Sequence, residues 1–274
     1  MLVWDGGRRS ALTWGKRVAF GVAEGGGRTC VGARGHPCPV RAAVSGRSTG
    51  ARCEECARLD RAHSVAADTL ADDPRPYRVY LAWFGPGMVK VGITAEERGS
   101  VRLLEQGAVC FSWLGTGPLM AARRTEELLR AALGVPDRIP YVEKRAVRAR
   151  LPGSAVERAA EVTELHARAM ALGGRPESLA PAPCQLVDHV GVFGLTDLPA
   201  AVGEVAELAA GGVVSGRLVA AAGPDLHLAT GPGEVVVLDT RLITGWELVP
   251  AEGDEVTVPV RQFKAPSSVQ SGLF

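Results

Sequence analysis

The residues best suited to chemistry fall into two groups. The first is four cysteines, Cys30, Cys38, Cys53 and Cys56, in the spacing Cys-x7-Cys-x14-Cys-x2-Cys. A Cys-x-x-Cys turn presents two thiolates from one tight loop, and two more from a separate loop complete a tetrahedral set for zinc. With every position taken by sulfur the site is structural rather than catalytic, and the ion replaces core that this Gly-rich stretch lacks. The first pair is wider than a usual knuckle, so His36 is an alternative ligand to Cys38. Unrelated reduced thiols or a redox-active Cys-x-x-Cys are the competing readings. Cys110 falls on an expected strand and Cys184 in a linker, and both read as buried or incidental thiols.

The second group is Tyr80, Lys90, Arg98, Arg102, Arg123 and Glu126. Lysine binds phosphate but is a poor general base unless its pKa is strongly depressed. Each residue also has a plain structural role open to it. Tyr80 can pack between strands, while Arg98 and Arg102 can pair with Glu105 or Glu97 on a solvated helix face. Glu126 neighbours Glu127, and only one of them can face a sheet. The apolar stripe Leu119, Ala122, Leu129, Ala132 and Leu133 leaves Glu126 at its edge and favours it over Glu127.

The elements that must position these residues read as an α+β chain. Residues 2–29 alternate apolar and polar with Gly-rich breaks, which predicts a β-hairpin or short meander. Residues 30–56 have the composition of metal-pinned loops, and 57–71 of a short helix followed by a linker over 72–76. Strands are predicted over 77–84 and 88–93, joined by Gly85-Pro86-Gly87 as a hairpin turn. Thr94 is the expected N-cap of a helix over 95–105, with Glu97 completing a capping box. A third strand over 109–114 precedes an amphipathic helix over 119–133 that ends at Gly134. Further helices are expected at 141–150 and 154–172, then a Gly/Pro linker over 173–183. Gln106-Gly107-Ala108 reads as helix-to-strand punctuation. The rest mixes a short helical segment near 198–210 with strands at 213–221, 225–229, 234–238 and 256–260. These later strands are expected to form one β layer with the N-terminal hairpin. Trp246 reads as a packing anchor and Asp239 with Arg241 as a surface pair. His189 and His227 are isolated. The 264–274 tail is expected to fray.

Charge separates the segments. Residues 1–74 carry +3, 75–150 carry +6 and 151–274 carry −8, within an overall +1. The middle segment is therefore the place for an anionic partner and the last an unlikely nucleic-acid surface. The chain is arginine-rich and lysine-poor, a composition that suits GC-rich coding. It starts without a basic, apolar leader, and no stretch approaches the ~18 apolar residues of a membrane span. These features predict a cytoplasmic protein with no membrane partner, in which six cysteines favour metal over disulfides.

The run Arg78-Val79-Tyr80-Leu81-Ala82-Trp83-Phe84, then Val89-Lys90-Val91-Gly92-Ile93-Thr94, then Arg98, Arg102 and Glu126, resembles the GIY-YIG nuclease superfamily in divergent form. Arg78-Val79-Tyr80 stands at its first motif and Lys90-Val91-Gly92 at its second. The resemblance covers about residues 77–133. It implies a three-stranded antiparallel sheet flanked by helices, and a metal-dependent endonuclease acting on DNA or RNA. In that case Glu126 would hold Mg²⁺ or Mn²⁺, Arg98 would stabilise the scissile phosphate, and Tyr80 would position or deprotonate the attacking water. Lys90, Arg98, Arg102 and Arg123 would contact nucleic acid. Gly92 fits a place where backbone and substrate approach closely. Arg78 replaces the family's first Gly, Lys90 its second Tyr, and no His follows Arg98. A catalytically inactive nucleic-acid-binding module, or a small-molecule biosynthetic enzyme on the same scaffold, are thus the alternatives. As a whole the chain also resembles an uncharacterised prokaryotic family that combines zinc-binding cysteines, this segment and a β-rich C-terminus. Its members share Lys-Val-Gly, Gln-Gly-Ala and a pattern like Gly216…Leu226…Leu228…Gly245-Trp246. The domains expected are 1–74 (N-terminal β and zinc-binding region), 75–172 (GIY-YIG-like α/β) and 184–264 (β-rich C-terminal region).

Overall fold

The computed structural model describes residues 2–3, 9–62, 73–231 and 233–263. The 63–72 stretch of the expected helix and linker, and the 264–274 tail, lie outside the described residues. In chain order the elements are β1 (Leu2–Val3), β2 (Arg9–Ser10), β3 (Arg17–Val22), α1 (Glu54–Arg61), β4 (Pro76–Trp83), β5 (Val89–Ala95), α2 (Val101–Gln106), β6 (Cys110–Pro118), α3 (Leu119–Leu133), α4 (Tyr141–Val147), α5 (Ala155–Ala171), β7 (Ala180–Pro181), β8 (Val187–Asp188), α6 (Val190–Phe193), β9 (Ala201–Val205), β10 (Val213–Ala222), β11 (Asp225–Ala229), β12 (Val235–Asp239), β13 (Leu248–Val249) and β14 (Val260–Gln262). The class is α+β. The chain divides into two compact units: Met1–Cys53, Ala201–Val219 and Asp225–Phe274 form the first, and Glu54–Ala200 with Ala220–Pro224 the second. Among the described residues no helix is long and apolar enough to cross a membrane.

In the first unit a seven-stranded sheet runs β13-β3-β10-β11-β12-β9-β14, and β1 pairs with β2 as a separate hairpin. Strands from both chain ends therefore share one sheet, with β3 between β13 and β10. The segment near 198–210, expected to be helical, is the strand β9 instead. It pairs parallel to β12 and antiparallel to β14, so sheet pairing overrides the helix-favouring Ala and Glu around it. Arg28 is buried here and its guanidinium donates to four backbone carbonyls, those of Ser45, Ser48, Arg241 and Thr244. One side chain thus satisfies turns far apart in sequence. Asp239 is buried rather than superficial, and its carboxylate holds Arg241 at 2.6 Å.

In the second unit the sheet runs β5-β4-β6-β7, with β8 also on β6. It contains the expected three-stranded antiparallel core, extended by two short strands. β4 is the central strand, buried at Tyr77 and without a break from Val79 through Trp83, so its apolar residues run on without alternation. α3 packs on β4, β5 and β6, and α5 on β4 and β6. The 173–183 stretch is less of a linker than its Gly and Pro content implied. A Cβ on Gly115 would lie 2.7 Å from the Ala180 carbonyl, and one on Gly117 2.5 Å from that of Ser178. Two glycines in β6 let this strap lie directly on the strand. Thr94 is not an N-cap: β5 continues through it to Ala95, pairing Thr94 with Arg78 and Ala95 with Tyr77. The helix that follows starts only at Val101, behind Ser100 and a 3-10 turn over Glu96–Arg98.

Candidate metal centre and polar site

Two loops bring the four cysteines together. The ligand atoms of Cys30, Cys38, Cys53 and Cys56 all lie within 4.8 Å of one another. Tetrahedral Zn–S bonds of about 2.3 Å set sulfurs about 3.8 Å apart, so the spacing suits a single ion. The wide Cys-x7-Cys gap has a simple cause. Ala33 and His36 exchange both backbone hydrogen bonds, at 3.0 and 2.9 Å. Between them Arg34 and Gly35 take φ of 53° and 80°, as a type I′ hairpin turn requires. Four residues are thus looped out, and the remaining Cys-Val-Gly and Pro-Cys close as a compact knuckle. Gly32 is required there: a Cβ would fall 1.8 Å from the His36 carbonyl oxygen. Cys38 is buried in the cluster while His36 sits exposed in the hairpin, so of the two Cys38 is the one placed to ligate a metal. Backbone N–H groups of Cys53 and Gly32 donate to the Cys30 sulfur at 3.1 and 3.4 Å, the kind of outer-shell bond that orients a metal ligand. The four cysteines can hold a metal ion. Cys110 is buried at the start of β6, where burial first pushes its thiol up to about 12, and Cys184 is exposed.

The polar site lies in the second unit. Tyr80 stands directly across from Gly92 on the edge strand β5, beside a register shift between β4 and β6. Its ring belongs to an apolar cluster with Ala82, Phe84, Leu103, Phe111 and Ile139, and the residue is 1% exposed. The ring leans over Gly92 so closely that a Cβ there would lie 2.4 Å from the Tyr80 hydroxyl and 2.5 Å from Cζ. Gly92 is therefore glycine because an aromatic side chain from the next strand covers it, a pairing known to stabilise edge glycines. The space expected for substrate is filled by Tyr80. Only the hydroxyl reaches a polar environment. Gln106 donates to it from Nε2 at 3.1 Å. Burial, above all, raises the phenol's pKa; the Gln106 bond and Arg102 oppose the rise and Glu126 adds to it.

Arg102 on α2 and Glu126 on α3 act on this hydroxyl and also on the Lys90 amine of β5. Lys90 is 8% exposed. Its amine donates to the Asp137 carbonyl at 3.0 Å and lies 5.7 Å from the Tyr80 ring centre. Burial, first, and Arg102 next hold that amine down to about 8, against the pull of Glu126 and Asp137. Glu126 is half-buried while Glu127 is exposed and paired with Arg130. Burial, then Asp137, raise the Glu126 carboxyl above its ordinary range, against Lys90, Arg130 and Arg123. Among the described residues no ion pair joins Glu126 or Lys90 to any partner. Arg98 stands apart. It is largely solvent-facing and grips Glu105 with 2.8 and 2.9 Å contacts, and it is not among the charges acting on Tyr80, Lys90 or Glu126. Arg102 occupies the place beside Tyr80 that the sequence assigned to Arg98.

Gln106 is the residue sequence reasoning passed over. Its side chain holds Tyr80, and its carbonyl accepts from Lys144 Nζ at 3.1 Å. Lys144 is buried, 3.8 Å from the Phe84 ring centre and 4.5 Å from that of Tyr141. A cation at the C-terminal end of α2 complements the helix dipole. Gly107 ends that helix at φ 69°, with no room for a Cβ free of the Ala222 and Gly223 backbone. The Gln-Gly-Ala run is thus an anchoring device for Tyr80, not mere punctuation.

Fold and sites define an α+β protein with a metal-competent four-cysteine cluster and a separate, partly desolvated site of mixed charge. The family model described as "Protein of unknown function (DUF2797)" matches residues 15–248, and the chain belongs to that family. No curated protein and no solved structure matches it.

Proposed function

We propose that the second unit is a nucleic-acid-binding module of divergent GIY-YIG type, and that the cysteine cluster carries structural Zn²⁺. The observation that carries the first reading is the grouping of Lys90, Arg102, Arg123 and Arg138 around Glu126 and Asp137. It is an excess of cations that runs from the buried Lys90 amine to the exposed Arg102 and Arg138, within the most positively charged segment of the chain. Such cations give charge-assisted hydrogen bonds to a phosphate backbone and release its counterions. Fluorescence anisotropy with labelled single- and double-stranded DNA and RNA tests it. Affinity should fall steeply with salt, and Arg102→Ala should reduce the magnitude of the log–log slope by about 0.9 for duplex DNA. Arg98→Ala should matter less, because Glu105 grips Arg98 at 2.8 Å and Arg102 only at 3.7 Å. Salt-independent binding, or none, refutes the reading.

Glu126 favours a second reading, phosphodiester cleavage. It keeps a half-buried carboxylate out of any ion pair while surrounded by cations. Mg²⁺ and Mn²⁺ are held through one or two carboxylates together with substrate phosphates, and Glu126 would supply that carboxylate. Bound there, the ion would neutralise charge developing on the scissile phosphate. Arg102 would stabilise the same charge, and the Tyr80 hydroxyl, fixed by Gln106, would orient a water or phosphate oxygen. Divalent-dependent cleavage that vanishes in Glu126→Gln, with binding retained, is the expected result. Binding without cleavage under any divalent cation leaves the module reading alone.

A further inference from the structure

Four lysines, Lys16, Lys90, Lys144 and Lys264, stand among the chain's 31 Lys and Arg residues. One of them lies at the polar site, where arginine would bind phosphate with better geometry. What lysine offers there and arginine cannot is an amine that loses its proton. The surroundings of Lys90 promote that loss, first because the side chain is 8% exposed and the charged amine is poorly solvated. Arg102 on α2, and more weakly Arg138 in the loop after α3, disfavour a further positive charge, while Glu126 on α3 and Asp137 favour it. Tyr80 on β4 presents its ring. Among the described residues no carboxylate lies within ion-pair distance of the amine, whose hydrogen bond runs to the Asp137 carbonyl. Asp137 and Arg138 are exposed, so the amine borders a solvent-facing segment and not the deep core. A desolvated lysine beside other cations is the environment of imine-forming lysines.

We propose that Lys90 forms an imine with an aldehyde-bearing sugar phosphate, whose phosphate is held by Arg102 and Arg138. This rests on the anion-binding reading of the same site. The neutral amine's lone pair forms the C–N bond at the aldehyde carbon, and the C=O π pair moves to oxygen. The amine gives up one proton, solvent supplies another, and the oxygen leaves as water, giving a protonated imine. The Glu126 carboxylate, whose charge acts on the Lys90 amine, takes a proton from the adjacent carbon, and the electron pair left there then neutralises the iminium nitrogen. In a ring-opened, base-free deoxyribose of DNA that electron pair next expels the 3′ phosphate, with the iminium nitrogen regenerated, and breaks the strand by elimination.

The test is reductive trapping of the full-length protein with cyanoborohydride, followed by peptide mapping. The probes are a duplex carrying one base-free deoxyribose, glyceraldehyde 3-phosphate, and an intact duplex as control. The expected result is an adduct mapped to Lys90, lost in Lys90→Arg and kept in Lys16→Arg. Adducts with both probes, or with the duplex alone, support the proposal and identify the sugar source. An adduct with glyceraldehyde 3-phosphate alone supports imine chemistry while failing the nucleic-acid reading. Adducts confined to the N-terminus or the other lysines overturn the proposal. So does the absence of any adduct from protein that still binds the intact duplex. Mapping on the wild-type chain decides the matter even where the variant does not fold.

Discussion

Replacing Gly92 by alanine separates a structural glycine from a substrate-binding one. The added methyl would meet the Tyr80 hydroxyl, Cζ and Cε2 at 2.4, 2.5 and 2.9 Å. The ring cannot swing freely, because it is packed against Leu103 and Phe111 and meets Trp113 edge-on at 6.2 Å. Overpacking of this kind costs about 1–3 kcal/mol. Displacing the hydroxyl from Gln106 leaves buried polar groups unpaired, at about 1–3 kcal/mol more. Alanine recovers roughly 0.5–1 kcal/mol that glycine loses in a strand. The net expectation is a loss of roughly 1–5 kcal/mol, or a melting temperature lower by roughly 2–20 °C, read by circular dichroism. Removing the ring should reverse the sign. In a Tyr80→Leu background the distal ring atoms are gone, so Gly92→Ala should then stabilise. If Gly92→Ala is neutral in the wild type, or has the same sign in both backgrounds, the ring does not cover Gly92 as argued. If instead nucleic-acid affinity falls while stability stays unchanged, Gly92 serves substrate after all.

The remaining predictions concern charge and metal. The Lys90 amine is held down to about 8 from 10.5, so the unfolded chain binds more protons than the folded one between these values. Stability then rises with pH across that window, by about 3 kcal/mol at about 1.4 kcal/mol per pKa unit. Urea unfolding of wild type and Lys90→Met from pH 7 to 10.5 should show this as a narrowing gap, with Lys90→Met the more stable at pH 7. The Glu126 carboxyl is raised in the fold, so stability falls as pH rises through its titration. Glu126→Gln should therefore melt higher than wild type at pH 7 while losing any divalent-dependent activity. Elemental analysis should find one zinc per chain, lost in Cys38→Ser and kept in His36→Ala. Ellman's reagent should titrate the exposed Cys184 in the native protein, and the four cluster cysteines only after chelation.

What the sequence revealed depended on whether a residue's environment was local. The helix over 119–133 was legible to the residue, because its 3.6-residue apolar stripe and Gly134 are both local signals. The four-cysteine set was legible from ligand chemistry, although the type I′ hairpin that makes Cys-x7-Cys work was hidden in an ordinary Ala-Arg-Gly-His run. Thr94 misled because a capping box reads the same whether or not a strand still needs its pairing partners. Residues 198–210 misled because β9 is made by β12 and β14, one of them over fifty residues away. Arg98 and Arg102 lie one helical turn apart by spacing, and spacing alone could not show that Glu105 would claim one more firmly than the other. Gln106 was invisible because both of its partners, Tyr80 and Lys144, come from elsewhere in the chain.

In the second unit the fold leaves one interaction unmade. Lys90 and Glu126 feel each other's charge, yet no ion pair joins them. Elsewhere the unit pairs its charges readily: Arg158 meets Asp188 at 2.7 Å and Arg75 meets Asp73 at 2.6 Å. An isolated desolvated charge costs stability, and closing the gap would relieve two of them at once. Both groups instead sit displaced from their ordinary titration ranges, the amine downward and the carboxyl upward, each toward its neutral form. A stability-only account would favour pairing them or replacing both with apolar residues of similar volume, which is often neutral or stabilising. A group that shares its site with both the amine and the carboxylate, whether a phosphate, a cation with its phosphate or an aldehyde carbon, accounts for the separation. Lys90→Met combined with Glu126→Gln should accordingly be more stable than the wild type and inert toward every such ligand. A double variant less stable than either single one would mean that the separation serves packing alone.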